Sequence, residues 1–513
     1  MPTADRAPRP PGWVWGSAEQ WTRRAERFAV GRRVATLLER LRHRAAPTRW
    51  STLLGVIAAA SLAVLVVTGL VLVLVYDPSS SLLRYRGSSP LLQGVPMSRA
   101  YASTLRISLD LPGGLLVRQT HHWAALVLPA ALLLQLVSTF STGGFRRPRH
   151  WAWVLLVGVL LLALVSGWSG YALPDDSLSG TGLRIVQGVT LAVPLVGTRL
   201  TWLLFGGEFP GRVLEHLYLV HLAAPTLLVV LGVLRLRTTW RTGPVQHPGP
   251  GRSGTDVVGL PVWPAAAVRA AGLFASTVGV LLLMGGTLVV DPVWAYGPSS
   301  PGNASAGSRP DWYTAFLDGA LRLVPPGWEV VALGRTWTLA VLVPLAAIGL
   351  LVAVVVAYPF LEGWTTGDRR EHHLLQRARD TPTRTGVGAA LVVLYGVLWA
   401  AGSADVVATQ FRVSFEGVIG VLRGAVLLGP VVAHLLARQV CRTLQALDRE
   451  RLRHGVESGR IARDPSGGYH ETSQPLDARR RRTAAALDPL PPPPPPRPRE
   501  PVTGRARLQR VLR

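Results

Sequence analysis

Long apolar runs separated by shorter polar stretches dominate this chain. Eight of them, at approximately 51–76, 116–140, 151–172, 214–235, 266–290, 337–360, 386–401 and 415–437, approach or exceed the length a bilayer requires. About 20 residues rising 1.5 Å each cross roughly 30 Å of hydrocarbon, and a helix is the one single-segment structure that satisfies its own backbone there. The seventh run is the shortest, and its flanks can extend it. The pattern predicts an all-α polytopic membrane protein with eight transmembrane helices. Residues 1–50 are Arg-rich and lack an apolar core, so they do not read as a cleavable signal peptide, and the first span reads as a retained helix.

Composition agrees with this reading. The 513 residues are 49% apolar and only 16% charged, with a mean hydropathy of +0.29. A formal charge of +25 would ordinarily raise nucleic-acid binding. Eight spans give that charge a topological meaning instead. All 54 basic residues are Arg, and they concentrate in the two termini and in the loops after the second, fourth and sixth spans. By the positive-inside rule these segments are cytoplasmic and the other loops lie outside, with attraction to anionic lipid absorbing the remaining charge and no nucleic-acid partner called for. After residue 438 the chain turns polar, with an Arg479–Arg482 run and a Pro491–Pro496 stretch. It reads as an extended, solvated, basic cytoplasmic tail. The single cysteine, Cys441, excludes an internal disulfide, a Cys-x-x-Cys-His haem attachment and a Cys-ligated cluster within the chain. No GxxxxGK[ST], HExxH or GxSxG motif is present.

Ionisable groups inside spans are costly and therefore draw attention. The second span opens with Arg118-Gln-Thr-His121-His122-Trp123, and the fourth contains Glu215-His216-Leu-Tyr218-Leu-Val-His221 followed by Pro225. A lone histidine near a helix end is usually interfacial. Two histidine-bearing helices that start from one membrane side can supply both axial ligands of a haem iron. The first span carries Gly55 and Gly69 on nearly the same face, where either helix packing or a flat bound group would use them.

Together with SGYALPDDSLSGTGLRI at 169–185, VPLVGTRLTWLLFGGEFPG at 193–211, PDWYTAFLDGALRLVP at 310–325 and DRREHHLLQRARDTPTRTGVGAA at 368–390, these segments resemble the cytochrome b subunit of quinol–cytochrome c reductase, in its actinobacterial form with extended termini. The similarity spans roughly residues 48–475. It implies a basic N-terminal segment at 1–50, a haem-binding four-helix bundle at 51–240, a C-terminal region with the quinol-site loop at 241–437 and the tail at 438–513. It further implies haem b, menaquinol as substrate, a Rieske iron–sulfur protein and a c-type cytochrome as partners, a homodimer of complexes, and residence in a bacterial plasma membrane with both termini cytoplasmic.

In that family the second and fourth helices each present two histidines fourteen residues apart, roughly 21 Å along the axis, and so hold two haems. Carried over, the outer pair falls on His121 and His221, Arg118 matches the propionate-pairing Arg, and Gly69 and Gly170 match the small residues against that haem. The inner pair falls on Gln135 and Arg235, neither a plausible ligand. The second propionate Arg is replaced by Ser138 and the second small residue of the third span by Leu156, leaving Gly55 alone of the inner pattern. The resemblance thus implies one haem, the outer, low-potential one, and an interrupted relay for a transmembrane Q cycle. Pro310-Asp311-Trp312-Tyr313 resembles the quinol-site signature, with Asp311 as proton acceptor and Tyr313 beside it. A carboxylate in an apolar cleft is desolvated, which suits that role. Segment 183–198 would form the helix closing this pocket, with Tyr171 and Arg184 nearby. At the inner face His247 and Asp256 are weak matches to quinone-binding residues, and His372 and His373 fall in a loop where solvent exposure is expected. A second class of function stays open, a haem-poor scaffold or assembly paralogue. A transporter is disfavoured by the lack of an inverted repeat.

Overall fold

The computed structural model describes residue 20 and residues 29–207, 211–249, 251–300 and 310–477. The Arg479–Arg482 and Pro491–Pro496 runs and nearly all of the first 28 residues lie outside these. Helix accounts for 68% of the described residues. Among the described residues eight helices are long and apolar enough to cross a membrane.

A basic amphipathic helix, α1 (Ala29–Arg42), precedes the first spanning helix α2 (Trp50–Val73). Helices α3 (Gly114–Ser141) and α4 (His150–Ala172) follow, then two helices of the connecting loop, α5 (Ser177–Leu191) and α6 (Gly197–Phe205), and the spanning helix α7 (Val213–Thr242). The second half contains α8 (Ala267–Thr287), a short α9 (Ala315–Leu323), α10 (Leu339–Thr366), α11 (Pro382–Gly402) and α12 (Phe415–His454). The seventh run, short in the sequence, gains a turn from Pro382, which sits at the first helical position where its missing N–H costs nothing.

Helix α2 packs along α3 and α4 along α7, while α8 lies across α2 and α3. The centre of this bundle is a cluster of Ala58, Leu128, Ala131, Leu132, Leu156, Val159, Leu160, Ala163 and Leu228. Burial of such apolar groups gains little against lipid tails, so close backbone approach and hydrogen bonds must join these helices. Gly285 of α8 meets the backbone of Thr120, for instance, and Trp123 Nε1 donates to the Leu288 carbonyl at 2.8 Å.

One expectation fails at the C-terminal end. The chain does not become an extended tail at 438: α12 continues unbroken to His454, and an antiparallel hairpin of Val456–Arg463 and Tyr469–Gln474 follows. Residues 438–454 contain neither Gly nor Pro and are rich in Arg, Leu and Gln, all strong helix formers. Asp448 and Gln445 also anchor this stretch on the loop between α10 and α11, Asp448 to Arg379 at 3.2 Å and Gln445 Nε2 to the Arg379 carbonyl at 2.8 Å. Gly455, at φ +87°, ends the helix.

Candidate functional site

A cavity of about 540 Å³ opens within the α2, α3, α4 and α7 group, walled by Gly69, Arg118, His121, Gly170, His221 and Asp311 among others. The rings of His121 and His221 face each other across it, with centroids 6.3 Å apart and planes at 66°. A metal bonded at about 2 Å to one nitrogen of each ring requires ring centres roughly 6 Å apart, so the spacing suits an iron held between two imidazoles.

Each ring is seated by a hydroxyl and a glycine adjacent in sequence. His121 Nδ1 lies 2.9 Å from Thr68 Oγ1, and Thr68 gives its own proton to the Val64 carbonyl at 2.6 Å. That hydroxyl is therefore the acceptor, and Nδ1 carries the hydrogen. His221 Nδ1 lies 3.0 Å from the Ser166 carbonyl and 3.2 Å from Ser169 Oγ. In both rings Nε2 is left with the lone pair a metal needs. A Cβ on Gly69 would touch His121 Cε1 at 3.4 Å, whereas one on Gly170 would press into His221 Cε1 at 2.6 Å. The sequence singled out both glycines but not Thr68 or Ser169. The signal was there, a hydroxyl preceding each glycine, but a hydroxyl in an apolar helix ordinarily bonds its own preceding turn.

Arg118 stands three residues before His121, 9% exposed. Its Nη2 donates to the Asp291 carbonyl at 2.8 Å, the Asp291 carboxylate lies 3.9 Å from Nη1, and Nε has no hydrogen-bond partner among the described residues. A buried guanidinium with spare donors fits an anionic group such as a propionate. Burial, with Asp176 adding to it, pushes the Asp291 carboxyl up to about 6.

Asp311 reaches the same cavity from the loop before α9. Its Oδ1 lies 3.1 Å from His122 Nε2, and its Oδ2 accepts from the Tyr313 hydroxyl at 2.9 Å. Tyr313 is fully buried against Gly167 of α4, and burial with the adjacent Asp311 raises its hydroxyl well above the ordinary range. His122, one residue past His121, points about 100° around the helix to serve this second group. Its role was invisible in sequence because its partner is 189 residues away. The closing helix expected at 183–198 begins earlier: α5 starts at Ser177, capped by the buried Asp176, whose side chain accepts from Leu178 N and Ser179 N. Tyr171 lines the cavity, and Arg184 binds the Ser300 carbonyl.

The inner positions differ. Leu156 is 2% exposed within the central apolar cluster. The Gln135 amide abuts Gly55, with Nε2 3.4 Å from where a Cβ would stand. Gln135 Oε1 and Arg235 Nε are buried without partners among the described residues. None of Gly55, Gln135, Ser138, Leu156 or Arg235 lines the cavity. These residues do not fit a second haem, since they offer no imidazole and Leu156 is packed into the central apolar cluster. Asp256 is exposed and tied to Ser253, while His247 is half-buried and pushed down by burial and by Arg49, Arg252 and Arg377. His372 is not simply exposed. Its ring pairs with Asp368 at 3.1 Å, its carbonyl takes Arg149 Nη1 at 2.7 Å, and burial, with Arg146, pushes the imidazole down to about 4.

Among the described residues, eight membrane-length helices, four of which wall a cavity that two imidazoles enter, define a polytopic helical membrane protein of the cytochrome type. The family model for cytochrome b(N-terminal)/b6/petB matches residues 126–298. The cytochrome bc1 complex cytochrome b subunit of Streptomyces coelicolor is 41% identical over 442 residues, covering 86% of this chain and 81% of that one. Its counterpart in Mycobacterium tuberculosis is 44% identical over 461 residues, covering 89% and 84%. That of Corynebacterium diphtheriae is 40% identical over 432 residues, covering 84% and 80%. A chain of a hyperthermophilic respiratory complex III shares the fold at a TM-score of 0.61 and 17% identity, covering 80% of this chain and 97% of its own. The chain belongs to the family of cytochrome b subunits of the cytochrome bc1 complex.

Proposed function

We propose that this chain is the quinol-oxidising subunit of a menaquinol–cytochrome c reductase and that it carries one haem b, at the outer site. The carrying observation is the His121–His221 pair, 6.3 Å apart with both Nδ1 atoms engaged. Bound there, haem b would supply one-electron redox chemistry. His121 and His221 offer Nε2, Gly69 and Gly170 leave room beside the rings, and Arg118 turns spare donors toward a propionate. Asp311 accepts a quinol proton, while Tyr313 and His122 hold its two oxygens so that the carboxylate meets the substrate in one orientation. A Rieske iron–sulfur protein and a c-type cytochrome are the fitting partners in a homodimeric assembly. Arginine distribution favours a plasma-membrane orientation with cytoplasmic termini.

The inner residues support a single haem, which leaves no relay across the membrane for a conventional Q cycle. Extraction from the purified protein is expected to yield one haem b per chain, and a yield of two would end this reading. The loss of ligands at Gln135 and Arg235 also favours a second reading, a scaffold that kept the fold without electron transfer. A reduced-minus-oxidised spectrum decides between them: a b-type band abolished by His121→Ala and by His221→Ala supports the redox subunit, and no band at all supports the scaffold.

A further inference from the structure

The two imidazoles are seated by matching devices whose acceptors differ in kind. On α4 the ring hydrogen of His221 goes first to a backbone carbonyl, Ser166 O at 3.0 Å, and the Ser169 hydroxyl at 3.2 Å is secondary. On α2 the order is reversed. Thr68 Oγ1 takes the His121 ring hydrogen at 2.9 Å, and the Leu65 carbonyl, the counterpart of Ser166 O, also stands near the ring. Thr68 is itself fixed as an acceptor by donating to Val64 O at 2.6 Å.

The hydroxyl–glycine pairs also follow the site. Fourteen residues before Thr68 and Ser169, at the inner level, stand Leu54 and Leu155, so the device is absent where the ligands are absent. Hydroxyls that merely relieved helix strain would have no reason to keep company with the histidines.

We propose that Thr68 is a positioning residue for His121: its hydroxyl fixes the ring tautomer and sets how strongly Nε2 donates to the iron, so that one ligand of the outer haem is tuned by a side chain and the other by the backbone. A ring N–H given to a good acceptor makes the opposite nitrogen more basic, which favours ferric over ferrous iron. In a site shielded from water, no solvent molecule replaces a lost acceptor. Removing the Thr68 hydroxyl therefore raises the haem potential, whereas removing that of Ser169 leaves the stronger acceptor of His221 in place.

This rests on the haem b reading above. The test uses the assembled complex in membranes, with spectroelectrochemical titration of the haem band and electron paramagnetic resonance of the ferric state, both normalised to haem content. Thr68→Val is expected to keep the haem and shift the ferric/ferrous ratio at fixed potential by roughly three- to tenfold toward ferrous, tenfold being about 59 mV for one electron. Thr68→Ser is expected to restore the parent value, and Ser169→Ala to shift the ratio less than twofold. If Thr68→Val fails to retain haem, Thr68→Ala carries the same measurement. An unchanged potential and spectrum in a haem-replete variant lacking the hydroxyl overturns the proposal, as does an equal shift in Ser169→Ala. A parent chain with no bis-imidazole signal fails earlier, at the haem reading itself.

Discussion

Gly170 shows how little tolerance the site has. A methyl group there would stand 2.6 Å from Cε1 of His221 and 3.4 Å from its Nε2, and the ring cannot swing aside without leaving the Ser166 carbonyl. Gly170→Ala is expected to lose most of the b-type absorbance while the chain still inserts, at a packing cost of about 1–3 kcal/mol. Gly69→Ala, whose added carbon would sit at an ordinary 3.4 Å, should be milder. Haem content per chain separates the two. At Asp311, replacement by Asn removes the acceptor and keeps the shape, so quinol oxidation should fall by roughly 10²–10⁴-fold with the haem spectrum intact. Asp291 responds to pH. Its carboxyl is held near 6 in the folded protein, above the roughly 3.9 of an unfolded aspartate. Ionising it thus costs stability that is untouched below pH 4, lost progressively to pH 6 and fully lost above. Asp291→Asn should be more heat-stable than the parent at pH 7.5 and indistinguishable at pH 4, as followed by thermal melts in detergent. At this scale His121 and His221 could be singled out in the sequence because span position makes them conspicuous, while the roles of Arg118, Gly69 and Gly170 were legible only through the resemblance to cytochrome b. Thr68, Ser169 and His122 could not, because each acts through a partner on another helix.

The helices themselves were the most legible part of the chain. A membrane span must satisfy its backbone internally, so apolar run length maps almost directly onto helix length. The one substantial miss, the extension of α12, arises because arginine marks both the exit from the bilayer and a good helix former. The α9–α11 contact governs how Asp311 is presented. Gly319 of α9 lies against the Leu398 carbonyl and Gly402 of α11 against the Ala315 carbonyl, so a Cβ at either place meets backbone that no rotamer change can move. Gly402→Ala is expected to displace α9 and the Asp311–Tyr313 segment ahead of it. Quinol oxidation would drop at least tenfold while the His121–His221 haem band stays unchanged; a parallel loss of both would mean the whole bundle had been disturbed. Nothing in the hydropathy pattern revealed this pairing, since glycines in apolar helices look alike until their neighbours are known.

Over the whole molecule, the end of the bundle next to α5 holds the cavity and its polar groups, while the middle is leucine, alanine and valine. Restoring two histidines, as Gln135→His with Arg235→His, is therefore expected to leave the extracted haem at one per chain, because Leu156 and its cluster still fill the space; a second haem from the double variant would show that ligands alone decide occupancy. Helices α8, α10 and α12 bury little of their apolar windows within the chain, about 6% each, and so face lipid or neighbouring subunits. The cavity floor carries a different consequence. Leu62, Leu65, Leu128, Ala163 and Leu228 close it from beneath, and hydrated protons find no acceptor chain through such a layer. The bundle is thus expected to resist ion flow in its own right. Vesicles bearing the protein before its prosthetic group arrives would hold an ion gradient as tightly as bare lipid, so assembly need not be guarded against a leak.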